Sequence, residues 1–193
     1  MSERAGRVAG LVLAAGAGRR YGMPKALVPG WLADRCAALA AGGCDPVLVV
    51  LGAAAEQARV LVPDGVDVVV APDWAEGMGA SLRAGLGAVR VLDPVPDAVL
   101  VALVDTPGLT PAVVARLRAT VGTGPPAEAL VQAAYAGRPG HPVVLGCAHW
   151  AGAAEAARGD RGARDYLRAH GVTTVECGDV GHGEDVDSPD GLR

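Results

Sequence analysis

The sequence predicts one α/β domain over residues 1–193, with a doubly wound, mostly parallel sheet inside three layers. Three observations carry that expectation. Short β-branched apolar runs alternate with Ala- and Leu-rich stretches of helical length. Those runs lack a clean apolar/polar alternation, as strands covered on both faces do. Hydrophobic residues make up 51% of the chain against 20% charged, enough to bury a sizeable core.

In chain order, Val8–Ala14, Pro46–Leu51, Val66–Ala71, Ala98–Val104 and Ala129–Ala134 read as strands. Trp31–Ala41, Ala53–Val62, Met78–Val89 and Pro111–Val121 read as the intervening helices. Gly77 ends a Gly-rich turn before the third helix, and Thr110-Pro111 supplies an N-cap with Pro at N1 for the fourth. The pattern changes after Ala134. Gly137–Pro142 is rich in turn residues, Val143–Leu145 is a short strand, and helices follow over Trp150–Ala157 and Arg161–His170. Val172–Glu176 is a last strand, and Ser188-Pro189 opens a final helix.

The balance of 17 Lys and Arg against 21 Asp and Glu, a net charge of −4, excludes nucleic acid bound by bulk positive charge. No apolar run is long enough to span a bilayer, so no membrane partner is expected. Cys36, Cys44, Cys147 and Cys177 form no CxxC pair; they read as structural thiols of a cytoplasmic protein and not as a zinc site.

The chemistry concentrates after the first strand. Leu13-Ala14-Ala15-Gly16-Ala17-Gly18-Arg19-Arg20-Tyr21-Gly22-Met23-Pro24-Lys25 combines three glycines with three cations. Glycines let the backbone approach a ligand, and successive amides form an anion nest. A triphosphate fits this combination. The loop is not GxxxxGK[ST], and its Gly16-x-Gly18-x-x-x-Gly22 spacing misses the dinucleotide pattern by one residue.

Asp105 closes a buried parallel strand and so faces the crevice where open α/β sheets bind ligands; otherwise it caps a turn. Asp185 and Asp187, two residues apart, share a side if extended. With Asp105 they supply the oxygen ligands that Mg²⁺ prefers; otherwise they belong to a solvated acidic tail.

These segments together resemble the MobA-like nucleotidyltransferases, and within them the molybdenum cofactor cytidylyltransferases (MocA-like enzymes). The loop resembles LAAGxSxRMGxxK, with Gly18 in place of Ser and Tyr21 in place of Met. Asp105-Thr106-Pro107 resembles DMP, and Asp185-Val186-Asp187-Ser188-Pro189 resembles DIDTPED. Gly77–Leu86 resembles the stretch GMSSSLRAGL, Gly137–Val143 resembles GxRGHPV, and Gly159–Arg164 resembles GDxGAR. The segment from Ala26 to Leu32 is several residues shorter than in the family.

The resemblance implies a Rossmann-like fold of the nucleotide-diphospho-sugar transferase type. It implies Mg²⁺-dependent transfer of CMP from CTP to the terminal phosphate of a molybdopterin acceptor, with pyrophosphate leaving. Lys25, Arg19 and Asp105 become the catalytic candidates, Arg20 being the alternative to Arg19. Leu13, Ala14, Ala15, Gly16, Gly18, Arg19, Gly22, Lys25, Gly79, Ser81 and Asp105 become nucleotide contacts. Arg138, Gly140, His141 and Arg164 become acceptor contacts, although His141 also suits a turn-locking role and Arg164 an ordinary helix surface. Asp105 and Asp187 hold the metal, with Asp185 as the substitute for Asp187. Ala15 and the GHPV segment favour CTP over GTP. Guanylyl transfer, a phospholactate, sugar or polyol phosphate acceptor, and a non-catalytic pterin carrier are the alternatives. A molybdoenzyme client is the implied protein partner. His149, His170 and His182 carry no assignment.

Overall fold

A computed structural model describes residues 6–188. Its centre is β1 (Val8–Ala14), buried at every position, with β2 (Val47–Leu51) on one side and β4 (Ala98–Leu103) on the other. Both pairings are parallel. The sheet has seven strands in the order β3-β2-β1-β4-β6-β5-β7, where β3 is Asp67–Val70, β5 Leu130–Tyr135, β6 Arg138–Gly146 and β7 Thr173–Glu176. Only β6 runs against its neighbours.

Alternate residues of β1 enter different layers. Val8, Val12 and Ala14 pack towards α1 (Trp31–Ala41), α2 (Ala55–Arg59) and α4 (Pro111–Val121). Ala9, Leu11 and Leu13 pack towards α3 (Met78–Val89), α5 (Trp150–Ala156) and α6 (Arg164–His170). The period of two splits the core into two clusters, which explains why neither face of the strand reads as polar. With no Phe in the chain, helix and sheet approach closely, and a methyl group on Gly85 of α3 would stand 2.6 Å from a Leu11 methyl carbon.

The helices α1, α3 and α4 occupy the stretches their patterns predict, the last with Thr110 Oγ1 accepting from the Val113 amide at 3.2 Å. Four expectations need correction or relocation. The segment Gly137–Pro142 is not chiefly a turn: β6 runs from Arg138 to Gly146, and only Ala136 and Gly137 turn, both with positive φ. Pro139 and Pro142 are tolerated because β4 pairs with Val143–Gly146 alone, so the earlier half of β6 is an edge towards β4. The helix expected over Ala53–Val62 shortens to Ala55–Arg59, since Val60 and Leu61 find no apolar cover and Pro63 follows. The helix expected from Arg161 starts at Arg164, behind Gly162 at φ 54°. The helix expected from Ser188-Pro189 lies outside the described residues.

No helix among the described residues is long and apolar enough to cross a membrane. The four cysteines are unpaired, and burial pushes the Cys36 thiol up to about 11 and the Cys44 thiol up to about 12. Leu11 is fully buried between β1 and α3. Leu11→Ala is expected to cost about 2–5 kcal/mol, read as a lowered urea midpoint at unchanged slope.

Candidate functional site

The register of β1 on β4 sets Leu13 opposite Leu103, and the Val104 amide donates to the Leu13 carbonyl at 3.2 Å. The two chains therefore leave the sheet side by side at their carboxyl ends. One continues as the Gly-rich loop and the other delivers Asp105.

The loop closes on itself through the Gly22 amide, which donates to the Gly18 carbonyl at 2.8 Å. Gly18 has φ +60°, and any Cβ there would collide with the Met23 carbonyl. Glycine is thus required at the position where the resembled motif carries Ser. Tyr21, in the place of Met, packs its ring 5.6 Å from that of Trp31 and ties the loop to α1.

Asp105 is held from behind. The Thr106 hydroxyl donates to the Leu103 carbonyl at 2.8 Å, and the Thr106 carbonyl accepts from Arg35 Nη1 at 2.9 Å. Arg35 is buried on α1 without an ion-pair partner among the described residues, its Nε unbonded, and burial lowers its pKa. The acidic segment near the end of the chain is fastened to the same strand end. Val186 is buried in the core, and its amide donates to the Asp105 carbonyl at 3.0 Å. Its neighbours Asp185 and Asp187 are carried with it.

Asp105, Asp185 and Asp187 each bring a carboxylate oxygen within 4.8 Å of the others. Three hard oxygen donors in that space fit a divalent cation such as Mg²⁺ or Mn²⁺. Lys25 Nζ donates to Asp105 Oδ2 at 2.6 Å and to Asp187 Oδ1 at 3.1 Å. Arg20 Nη1 stands 2.8 Å from Asp187 Oδ2. Burial disfavours the Lys25 charge, but the hydrogen bonds and charges of Asp105 and Asp187 outweigh it and raise the pKa.

A cavity of about 470 Å³ lies over this cluster. Leu13, Ala14, Ala15, Gly16, Gly18, Arg19, Lys25, Ser81, Asp105 and Asp187 line it, as nucleotide contacts and metal ligands would. Two of the expected nucleotide contacts do not. Gly22 closes the loop, and Gly79 is a packing glycine whose Cβ would stand 2.8 Å from the Ala157 carbonyl carbon. Arg20 also lines the cavity and holds the ion pair, while Arg19 makes none among the described residues.

A second cavity of about 530 Å³ adjoins the first across Leu13, Met78, Leu103 and Asp160, which line both. Its floor is apolar, from Val101, Val143, Leu145 and Leu167. Gly140, His141, Arg164 and Asp185 reach it, as do Arg161 and Arg168. Arg138 does not: it is exposed on the β5–β6 hairpin, next to Pro139, the first residue of β6 to line the cavity. Burial pushes the His141 pKa down, and its Nδ1 has no partner.

Arg35 and Asp160 had no role assigned from the sequence, and Arg20, the alternative to Arg19, is the arginine that meets the cluster. Arg35 left one trace, a cation on the apolar face that α1 shares among Trp31, Leu32, Cys36 and Leu39. Asp160 left another, its place in the Gly159–Arg164 stretch that resembles GDxGAR, though its position beside both cavities depends on the turn before α6.

Residues 10–175 match the family described as the MobA-like NTP transferase domain, and the chain belongs to that family. It is 38% identical over 197 residues to nicotine blue oxidoreductase of Paenarthrobacter nicotinovorans, covering 94% of this chain and 92% of that protein. The solved Rv0371c homologue from Mycobacterium sp. strain JC1 is 32% identical with a TM-score of 0.80, covering 98% of this chain and 94% of that one. Rv0371c of Mycobacterium tuberculosis H37Rv has been solved in complex with manganese; it is 28% identical with a TM-score of 0.68, covering 90% and 89% of the two chains.

Gly18→Ser is expected to weaken triphosphate binding at least about tenfold, because the loop must open to admit the side chain. Isothermal titration against the wild type, with circular dichroism to confirm folding, checks this.

Proposed function

We propose, from this family membership, that the chain is a single nucleotidyltransferase domain that moves CMP from CTP onto a terminal phosphate of a molybdopterin-type acceptor. The observation that carries this reading is the meeting of Asp105, Asp185, Asp187 and Lys25 at the Gly-rich loop, beside a second cavity. The triphosphate lies along the loop, where amides of Gly16–Gly18 together with Arg19, Arg20 and Lys25 bind its oxygens. The acceptor phosphate oxygen attacks the α-phosphorus in line, the bond to the bridging oxygen breaks, and pyrophosphate leaves. The attacking phosphate is already anionic, so the chain needs no general base; its part is positioning and charge neutralisation.

Asp105 and Asp187, with Asp185 beside them, would hold Mg²⁺, which when bound supplies charge neutralisation at the phosphates. Ser81 and the turn before α3 face the base and ribose side of the cavity. Gly140, His141 and Arg164 border the acceptor. The preference for CTP rests on Ala15 and the Gly140–Val143 segment. A molybdoenzyme would receive the product, in the cytoplasm.

A second reading is favoured by one observation: the floor of the larger cavity is apolar and suits a flat ring, as the name of the oxidoreductase relative suggests. Redox turnover of nicotine blue with a supplied reductant, without any triphosphate, would support redox chemistry over nucleotidyl transfer.

Pyrophosphate release from CTP and molybdopterin with Mg²⁺ tests the main reading, and Asp105→Ala is expected to lower it by about 10²–10³ or more with the fold intact. A thermal-shift panel of CTP, GTP, ATP and UTP with Mg²⁺ is expected to show selective stabilisation by CTP. Pterin binding without turnover would favour a carrier.

A further inference from the structure

The acidic cluster holds more negative charge than its bonded partners cancel. Three carboxylates meet there, and Lys25 and Arg20 are the cations bonded to them among the described residues. Arg20 approaches from the exposed side and touches Asp187 alone. Lys25 lies within, 14% exposed, with its ammonium between Asp105 and Asp187. Asp185 has neither an ion pair nor a side-chain hydrogen bond among the described residues, although its oxygen lies in the same group. An ammonium has three donors and a single charge, and here it serves two carboxylates of three.

We propose that Lys25 is the chain's own occupant of the cation position. Its ammonium takes the space that a divalent ion bound to Asp105, Asp185 and Asp187 would need, and must leave before such an ion can enter. Two like charges cannot share the gap between Asp105 Oδ2 and Asp187 Oδ1, where Nζ already stands 2.6 Å and 3.1 Å from the two oxygens. The exit is short. Lys25 opens a one-turn 3₁₀ helix at the base of the Gly-rich loop and lines the cavity assigned above to the triphosphate. Rotation about its side-chain bonds moves the ammonium from carboxylates to phosphates with the backbone in place. Lys25 thereby keeps the empty carboxylate cluster from repelling itself apart and releases it when a stronger anion arrives. This last step rests on the nucleotidyltransferase reading; the competition between ammonium and cation does not.

The test is Mn²⁺ binding to the full chain without nucleotide, followed by the electron paramagnetic resonance of the free ion at fixed ionic strength. Lys25→Met keeps the stem and removes the charge; it is expected to tighten Mn²⁺ at least about tenfold. Lys25→Arg keeps the charge and is expected to bind as weakly as the wild type. Asp187→Asn in the Lys25→Met background is expected to reverse the gain, which places the ion on these carboxylates. Lys25→Gln repeats the measurement should the Met variant fold poorly by circular dichroism. Equal affinity in the charge-removing variants and the wild type would overturn the proposal even where CTP turnover is normal. Tightened binding in a chain that never turns over CTP would overturn the reaction reading and leave the competition standing.

Discussion

The parallel pairing of β1 with β4 is the constraint on which the site depends. From β1 the chain winds outward through β2 and β3; β4 begins the other half of the sheet. The connections from the two central strands therefore diverge to opposite sides, and the crevice between them is left open at the carboxyl ends. The register of Leu13 against Leu103 brings both chains to the same height before they part. A slip of one residue would turn Asp105 towards the opposite layer and break up the core clusters that alternate along β1. The burial of Leu11, Leu13, Val12 and Ala14 thus sets the position of Asp105 as firmly as any contact of its carboxylate.

Electrostatics then decide which states of this crevice are stable. Carboxylates gathered at the end of a buried strand are costly without counter-charge, and a half-buried ammonium is costly without acceptors. Each offsets the other here, as the raised Lys25 pKa records despite its burial. Arg35 sits one layer below. It pairs with no carboxylate among the described residues, donates from Nη1 to the Thr106 carbonyl, and so fixes the residue after Asp105. The segment carrying Asp185 and Asp187 is held by the burial of Val186 and its amide bond to Asp105, and by the ion pairs of Asp187 with Lys25 and Arg20.

What the sequence disclosed and what it withheld divide along the same line. The helices α1, α3 and α4 were legible because their signals are local: an Ala- and Leu-rich run after Gly30, a Gly77 break, a Thr110-Pro111 cap. The three central strands were legible from uninterrupted apolar runs. The Gly-rich loop announced itself through composition, and the acidic segments through resemblance. The first half of strand β6 was hidden because two prolines read as turn residues until its neighbours are known; only Val143–Leu145 showed as strand. Arg35 was hidden because an arginine on an apolar helix face has no meaning without the strand end it reaches. Gly79 and Gly22 carry motif positions, yet their work is packing and loop closure, which spacing alone does not separate from ligand contact.

The two cavities are built from different materials, and this bears on how one scaffold serves different chemistries. The smaller is lined by the glycines of the loop and by the charged side chains of Arg19, Arg20, Lys25, Asp105 and Asp187. Its loop depends on glycine, above all at Gly18 where no Cβ fits, and on the strand register that carries Asp105. The larger is formed by side chains, with Val101, Val143, Leu145 and Leu167 below and Arg161, Arg164 and Arg168 around it. Each of those can change singly without disturbing the cradle beside it. Relatives can therefore share the glycine-loop half and still differ in what the other half accepts. This chain belongs to a family described by its NTP chemistry and is 38% identical to a protein named an oxidoreductase, and the side chains of the larger cavity are the part of the scaffold freest to differ.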